Sequence, residues 1–405
     1  MNSLIHKFEK QVLRTDKSGF NSVDNYTIQL SSTADDSLYD LYNSYLELTI
    51  EMDVSSGSEA IPAAATTYVL YPIVQPSGMV KTSSVEYQYI GTNGEVNTFT
   101  VSDQSQYVPM ARAFISMLLD SKALHDQYAG LTEWKYNYDS ANTNVNLWDD
   151  TISVTKPANS IRCPFKIKLP FRDIIPACNG PSFINLKSLK VNLGWVEPSE
   201  FFQIKEGATN GFVYGQNKYI TCTNWNITRC ECVSSVYLGN INSIDPALRS
   251  LQNTVIKHDI IKMKTGDSEY CNTITVPFKT SYLVMYMTDK YGNHKTLKDS
   301  PYIKEWHCNL TGNVEAFKTN SNVTDQKDDY WFYILSHCVA EGREYEPLIN
   351  YQNWKSRFHV YVLPLNEMTP QLAANPWNFQ LVLSSSLGVD CQLHLLWLKE
   401  GSEAI

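Results

Sequence analysis

Apolar residues return at every second position along much of this chain. Tyr26, Ile28 and Leu30 alternate with polar neighbours, and so do Leu46, Leu48, Ile50 and Met52 within Tyr45–Asp53. The same period recurs at Phe165, Ile167, Leu169 and Phe171, and again at Leu189, Val191, Leu193 and Trp195. Successive side chains of an extended strand point to opposite faces, so each set marks the buried face of a strand in a sheet–sheet core. The polar run Ser31–Ser37 reads as a turn or loop between the first two of these strands. Further on, Trp225 and Ile227 alternate, and Val276–Met287 forms a strand-like run closed by the turn sequence Asp289-Lys290-Tyr291-Gly292-Asn293. Trp331–Leu335, Phe358–Leu363, Phe379–Leu383 and Leu393–Leu398 predict four more strands.

Helical spacing interrupts this pattern at three places. Leu4, Ile5, Phe8 and Val12, followed by Lys17-Ser18-Gly19 as a breaker, predict a short amphipathic helix at the start. Met110, Ala113, Phe114, Met117 and Leu118, with Pro109 in the first turn, predict a second helix lying on the side or end of a sandwich. Asp245 as cap, Pro246 at the first position and Ala247, Leu248 and Leu251 after it predict a third. No short-period repeat is present, which removes solenoids and propellers.

Many short strands and few helices imply β-sandwiches, and 405 residues accommodate two of them. The break is expected at Val196-Glu197-Pro198-Ser199-Glu200, where an alternating strand ends in proline and charge. The expected organisation is therefore an arm over 1–20, one sandwich over 21–198 and another over 199–405.

Composition adds a partner. Only 19% of residues are charged while 12% are aromatic, a balance that suits a β-rich protein hiding surface between subunits. A net charge of −9 argues against binding to a polyanion. The uncharged stretch 60–80 carries Pro62, Pro72 and Pro76 and cannot be one spanning helix. The first twenty residues, dotted with charge, do not make a secretory signal, so a soluble, unsecreted protein is expected. Nine cysteines include no C-x-x-C pair; they are expected to be reduced thiols packed as small hydrophobes. Cys230 and Cys232 would share one face of a strand.

No chemistry emerges from motifs. The chain lacks a phosphate loop, an H-E-x-x-H zinc helix and a nucleophile elbow. Its histidines, His6, His125, His258, His294, His307, His337, His359 and His394, are scattered without ligand spacing. His337 and Cys338, as neighbours on a strand, would face opposite ways and cannot act as base and nucleophile. The pairs Asp35-Asp36, Asp149-Asp150 and Asp328-Asp329 lie in polar loops, as solvated turn residues do. Basic residues such as Lys166, Lys168, Lys187 and Lys190 are interleaved with apolar ones, as on the outer face of a strand. No catalytic, cofactor-binding or metal-binding residue is expected.

Four stretches together resemble the double jelly-roll major capsid proteins of eukaryotic DNA viruses, of the adintovirus, Polinton-like and virophage kind. The first is 23–30 with Leu38-Tyr39-Asp40-Leu41-Tyr42-Asn43-Ser44-Tyr45-Leu46-Glu47-Leu48, similar to an opening strand, an acidic Asp-Leu bend and a Tyr-Leu strand. The second is Tyr107-Val108-Pro109-Met110-Ala111-Arg112-Ala113-Phe114 through Leu119, with Leu131-Thr132-Glu133-Trp134 downstream. It is similar to the family's Tyr-Pro-Tyr-Arg-Ala helix, from which Tyr107-Val108-Pro109 departs. The third runs from Pro164 to Ile174 and then over Leu186–Leu193; the fourth is Phe379–Leu383 with Cys391–Trp397.

The resemblance implies an all-β chain of two consecutive eight-stranded jelly rolls. It also implies a structural role: homotrimers of pseudo-hexameric outline that tile an icosahedral virion shell. Partners would be neighbouring capsomers and minor or vertex proteins, with no sequence-specific nucleic-acid binding. The chain would be made in the host cytoplasm and would reside in the virion. By the same analogy Leu4, Ile5, Phe8 and Val12 form an arm that clamps a neighbouring capsomer. Loops such as Asp139–Asp150 and Lys318–Asp329 could meet a host receptor. The alternatives are a minor or vertex protein, a single-jelly-roll coat, or a carbohydrate-binding sandwich using Trp306, Trp354 or Trp377.

Overall fold

The structure, a computed structural model, describes residues 5–13, 23–29, 37–56, 67–72, 76–90, 94–103, 108–119, 152–155, 161–175, 183–196, 202–206, 212–214, 220–238, 250–275, 280–289, 303–310, 314–320, 360–364, 376–383 and 385–404. In chain order, β1 (Ile5–Leu13), β2 (Val23–Gln29), β3 (Ser37–Ser56), β4 (Thr67–Pro72), β5 (Val80–Ile90) and β6 (Val96–Asp103) precede helix α1 (Val108–Leu119). Next come β7 (Ile152–Thr155), β8 (Ile161–Pro170), the one-turn helix α2 (Phe171–Ile174), β9 (Phe183–Ile184) and β10 (Leu186–Trp195). β11 (Phe202–Glu206), β12 (Phe212–Tyr214) and β13 (Ile220–Leu238) follow. The remainder is β14 (Ser250–Met263), β15 (Glu269–Thr275), β16 (Tyr282–Asp289), β17 (Ile303–Leu310), β18 (Val314–Asn320), β19 (Tyr361–Pro364), β20 (Pro376–Leu383) and β21 (Cys391–Ala404).

Two sheets repeat one winding. In the order β2-β10-β5-β6 the opening strand lies beside the closing one, and in β14-β21-β16-β19 the same holds for the later strands. Beside each lies a pairing of the second strand with late ones: β3 with β8 and the two-residue β9 in the first, and β15 with β20 in the sheet β15-β20-β17-β18 in the second. This nesting of antiparallel partners is how a jelly roll is wound, and it occurs twice. The sheets stay open rather than closing into barrels.

Beyond the break expected at Val196–Glu200, β11 and β12 join β4 and β7, and β13 inserts between β1 and β3. Pairing therefore does not change hands at that break. The sheets built wholly from later residues begin at Ser250.

The amphipathic start is a strand, not the helix expected from Leu4, Ile5, Phe8 and Val12. Ile5 through Leu13 pairs in unbroken register with Leu238 back to Cys230 of β13. An isolated helix of three turns is marginal in water, whereas a ladder along a pre-existing edge satisfies the same backbone groups at once. The helix predicted around Met110–Leu118 is present as α1, with Ala113, Phe114, Met117 and Leu118 buried. Residues 245–249 of the third predicted helix lie outside the described residues, and Leu251 belongs to β14.

Alternation sets the first core. Leu46, Leu48 and Ile50 of β3 and Ile167 and Leu169 of β8 are buried, as are Val85 and Tyr87 of β5 and Leu189, Val191 and Leu193 of β10. The close approach of β10 to β5 needs a glycine at 194, because a Cβ there would sit 2.3 Å from Thr82 Oγ1. Gly194→Ala is expected to force that hydroxyl to another rotamer and cost about 1–3 kcal/mol. Urea denaturation checks it, and Gly194→Ala combined with Thr82→Ala, which removes the clashing oxygen, is expected to recover most of the loss.

The layer containing β16 and β21 breaks the alternation. Leu283 through Thr288 and Leu393 through Leu398 are buried on both faces. One face packs within the later half, and the other meets α1 through Phe114 and Tyr286, whose rings lie 5.2 Å apart.

Candidate functional site: an exposed edge and a buried junction

β1 is an edge strand with polar groups on both faces and three large apolar side chains in solvent. Ile5, Phe8 and Val12 are 61%, 58% and 69% exposed. Leu4 lies outside the described residues. Lys7 and Glu9, two apart and so on one face, form an ion pair at 2.6 Å. His6 reaches the neighbouring strand, its Nε2 2.9 Å from Ser235 Oγ, and its ring lies against Phe8 and Tyr237. The strand is thus held by its ladder and by His6, with Phe8 touching the His6 ring and most of Phe8 and Val12 left in solvent.

Behind it, the Asp-Leu bend of the sequence is a wide bulge. The register passes from Val233–Tyr45 to Ser235–Asp40, so Leu41, Tyr42, Asn43 and Ser44 oppose Ser234 alone. Buried Asp40 organises the bulge: its Oδ2 accepts from Asn43 Nδ2 at 2.6 Å, and its carbonyl accepts from Ser44 Oγ at 2.7 Å. Ser44 Oγ in turn accepts the Ser235 amide at 2.9 Å. Burial raises the Asp40 pKa above its ordinary value, although the Asn43 and Tyr42 donors and His6 pull it back. A carboxyl with a raised folded pKa favours folding most at low pH, and that benefit is lost as pH rises through the folded value. Asp40→Asn is expected to remove this dependence. Urea midpoints at pH 4 and pH 7 should show wild type gaining on the variant at the lower pH; an equal gap at both would contradict it.

Cys230 and Cys232 point into the core from one face of β13, as the sequence suggested. Cys230, Cys232, Cys271 and Cys391 are all free thiols. Burial pushes Cys232 up to about 12, despite Ser234, so it packs as an inert hydrophobe.

Two histidines that looked scattered are in contact. His258 of β14 and His394 of β21, far apart in sequence, place Nε2 and Nδ1 3.0 Å from each other. His394 Nε2 lies 2.8 Å from Thr288 Oγ1 of β16, and its ring stacks on Tyr286 at 4.7 Å. On the opposite face of the same layer, Trp397 Nε1 donates to Asp259 Oδ2 at 3.0 Å, and Lys257 Nζ approaches that oxygen at 2.9 Å. Nothing in the local sequence flags the histidine pair, because it depends on the β14–β21 register, which sets Ile260 against His394.

Within the first half, Arg112 of α1 donates through Nη1 to the carbonyl of Arg172 and also reaches that of Ile175, pinning α1 to α2. Arg172 lies over the Tyr42 ring at 5.0 Å. The Ala-Arg-Ala part of the helix motif thus has a structural use: Ala111 and Ala113 are buried and the arginine satisfies the carbonyls of Arg172 and Ile175.

Among the described residues no group of three metal-ligating side chains is present, and no helix is long and apolar enough to cross a membrane. His337, Cys338, Trp354 and residues 139–150 lie outside the described residues. Trp306 and Trp377 sit on β17 and β20.

This double winding is the fold of double jelly-roll capsid proteins. A chain of the Sputnik virophage particle determined by cryo-EM is similar at a TM-score of 0.58 and 10% identity, over 98% of this chain and 86% of that one. The mavirus major capsid protein is similar at 0.52 and 10%, over 98% and 90%. The Faustovirus major capsid protein is similar at 0.51 and 10%, over 100% and 91%. No protein-family model matches the sequence, and no curated protein does either.

Proposed function

We propose that this chain is the major capsid protein of a DNA virus, a structural and non-catalytic building block. The observation that carries the reading is two jelly-roll windings in one chain, in a fold shared end to end with the mavirus and Faustovirus major capsid proteins. In this reading the rolls are 21–198 and 199–405, the second lending β11–β13 to the sheets of the first. Three copies associate into a capsomer with a six-sided outline, and capsomers tile an icosahedral shell together with minor and vertex proteins. The protein is made in the host cytoplasm and resides in the virion, and the loops at the outer surface are where a host receptor would be met. Low charge and abundant aromatic residues support burial between copies. The acidic net charge supports a shell that does not itself condense the genome.

Light scattering is expected to give three times the 46.1 kDa of one chain, and negative-stain images a hexagonal silhouette. A stable monomer or a five-fold ring overturns the reading. A pentamer would point instead to a vertex protein.

The arm, Leu4, Ile5, Phe8 and Val12, is the contact between capsomers in this proposal. Phe8 and Val12 share a face and are exposed, so replacing both with serine should change the stability of the chain by less than about 0.5 kcal/mol each. The expected result is an unchanged trimer that no longer forms higher assemblies. Loss of the trimer itself would assign β1 to the inside of the capsomer.

A further inference from the structure

The buried junction holds a device independent of capsid assembly. The observation is a continuous run of contacts from an edge strand to the helix of the other half. His258 meets His394, His394 meets Thr288 and stacks on Tyr286, and Tyr286 meets Phe114 of α1. His394, Thr288, Tyr286 and Phe114 are all buried, while His258 is half-buried beside exposed Ile260 and Lys262. Protons therefore have access at one end of the run, and the packing they would disturb lies at the other.

We propose that His258 and His394 form an acid-sensitive latch, which in its neutral state holds β16 and β21 against α1 and which protonation releases.

The chemistry follows from the hydrogen bond itself. The contact between His258 Nε2 and His394 Nδ1 needs one N–H and one lone pair, so the accepting ring is neutral when it forms, and it cannot form when both rings are protonated. Whichever ring donates, His394 Nε2 keeps Thr288 as partner, either donating to its hydroxyl or accepting from it. One added proton places a cation on this face, and a second places N–H against N–H between stacked rings 5.2 Å apart.

The surroundings offer that cation little. From β14, Lys262 adds positive charge on the same face, while Lys257 and Asp259 project from the other. The Asp259 carboxylate is already engaged by Trp397 and Lys257. From β21, Cys391 is the other titratable side chain among its described ones. β16 contributes Tyr282 and Tyr286, and β19 contributes Tyr361. α1 contributes Arg112, which is turned to the carbonyls of Arg172 and Ile175.

Burial holds the His258 pKa down to about 4, only partly opposed by Asp259. A histidine depressed below its unfolded value stabilises the fold fully above the unfolded value of about 6.5, and loses that contribution as pH falls toward 4. The release window is therefore pH 6.5 to 4. Asp40 acts with the opposite sign, but it lies in the first half, so the peptides 282–289 and 391–398 of the later half separate the two.

The test is hydrogen–deuterium exchange of the full chain, corrected for intrinsic pH dependence, at pH 7.0 and pH 4.5. Peptides covering 108–119, 282–289 and 391–398 are expected to lose about tenfold protection at the lower pH in wild type. In His258→Gln, which keeps an amide near Nε2 but does not titrate, protection should change less than twofold. The same loss in the variant overturns the proposal. Should His258→Gln fail to fold, exchange of imidazole C2 hydrogens in wild type decides. His258 is expected to titrate well below the ordinary imidazole range, and titration near 6.5 overturns the latch.

Discussion

Trp397→Ala is expected to destabilise the later half by about 3–5 kcal/mol, the range for removing a fully buried tryptophan. The side chain is 1% exposed and shares a strand face with buried Leu393 and Leu395. Its loss leaves a cavity that neighbours on two sheets cannot fill, since a packed interior relaxes only partly. It also removes the indole N–H from Asp259, which keeps Lys257 alone. Trp397→Phe isolates the second contribution: it preserves most of the volume and should cost about 1–2 kcal/mol for the lost charged hydrogen bond. Circular dichroism in urea measures both. Equal, small losses for the two variants would mean that Trp397 is not the keystone of that core.

Phe114→Ala comes next in size and differs in kind. Phe114 is fully buried on α1, a first-half element, and its ring contact with Tyr286 reaches into the later half. Truncation is expected to cost about 3–4 kcal/mol, of which about 0.5–1.5 kcal/mol is the aromatic pair. Because the contact crosses the junction, its loss should also uncouple the halves. Wild type is expected to unfold in one transition and Phe114→Ala in two, with the later half melting separately. A single transition at lower urea would assign Phe114 to the first core only. Trp397→Ala, confined to the later half, serves as the comparison.

The two variants mark what could and could not be read beforehand. Strand identity in β3, β8, β10 and β20 is legible because one apolar face imposes a period of two, and β21 is legible as a short continuous apolar run. Helix α1 was legible because Ala113, Phe114, Met117 and Leu118 bury one helical stripe. The start of the chain was not. Ile5, Phe8 and Val12 fit helical spacing, yet in β1 they are exposed, so the pattern reported no core at all. A strand whose apolar side chains face solvent carries no internal period to reveal it.

Partnership between distant strands was equally hidden. That β13, from beyond the break at Val196–Glu200, inserts between β1 and β3 is a long-range pairing. The histidine pair has no local signature because it exists only through the β14–β21 register.

The sequence by itself determined the class of the protein: alternation over short segments, few helices and low charge leave open antiparallel sandwiches as the way to bury so much apolar surface. Tertiary structure alone decided which strands became edges, which layer was buried on both faces, and which polar side chains met inside it. Those are outcomes of long-range register, and register is set by how whole sheets pack, a property that no local stretch of residues encodes.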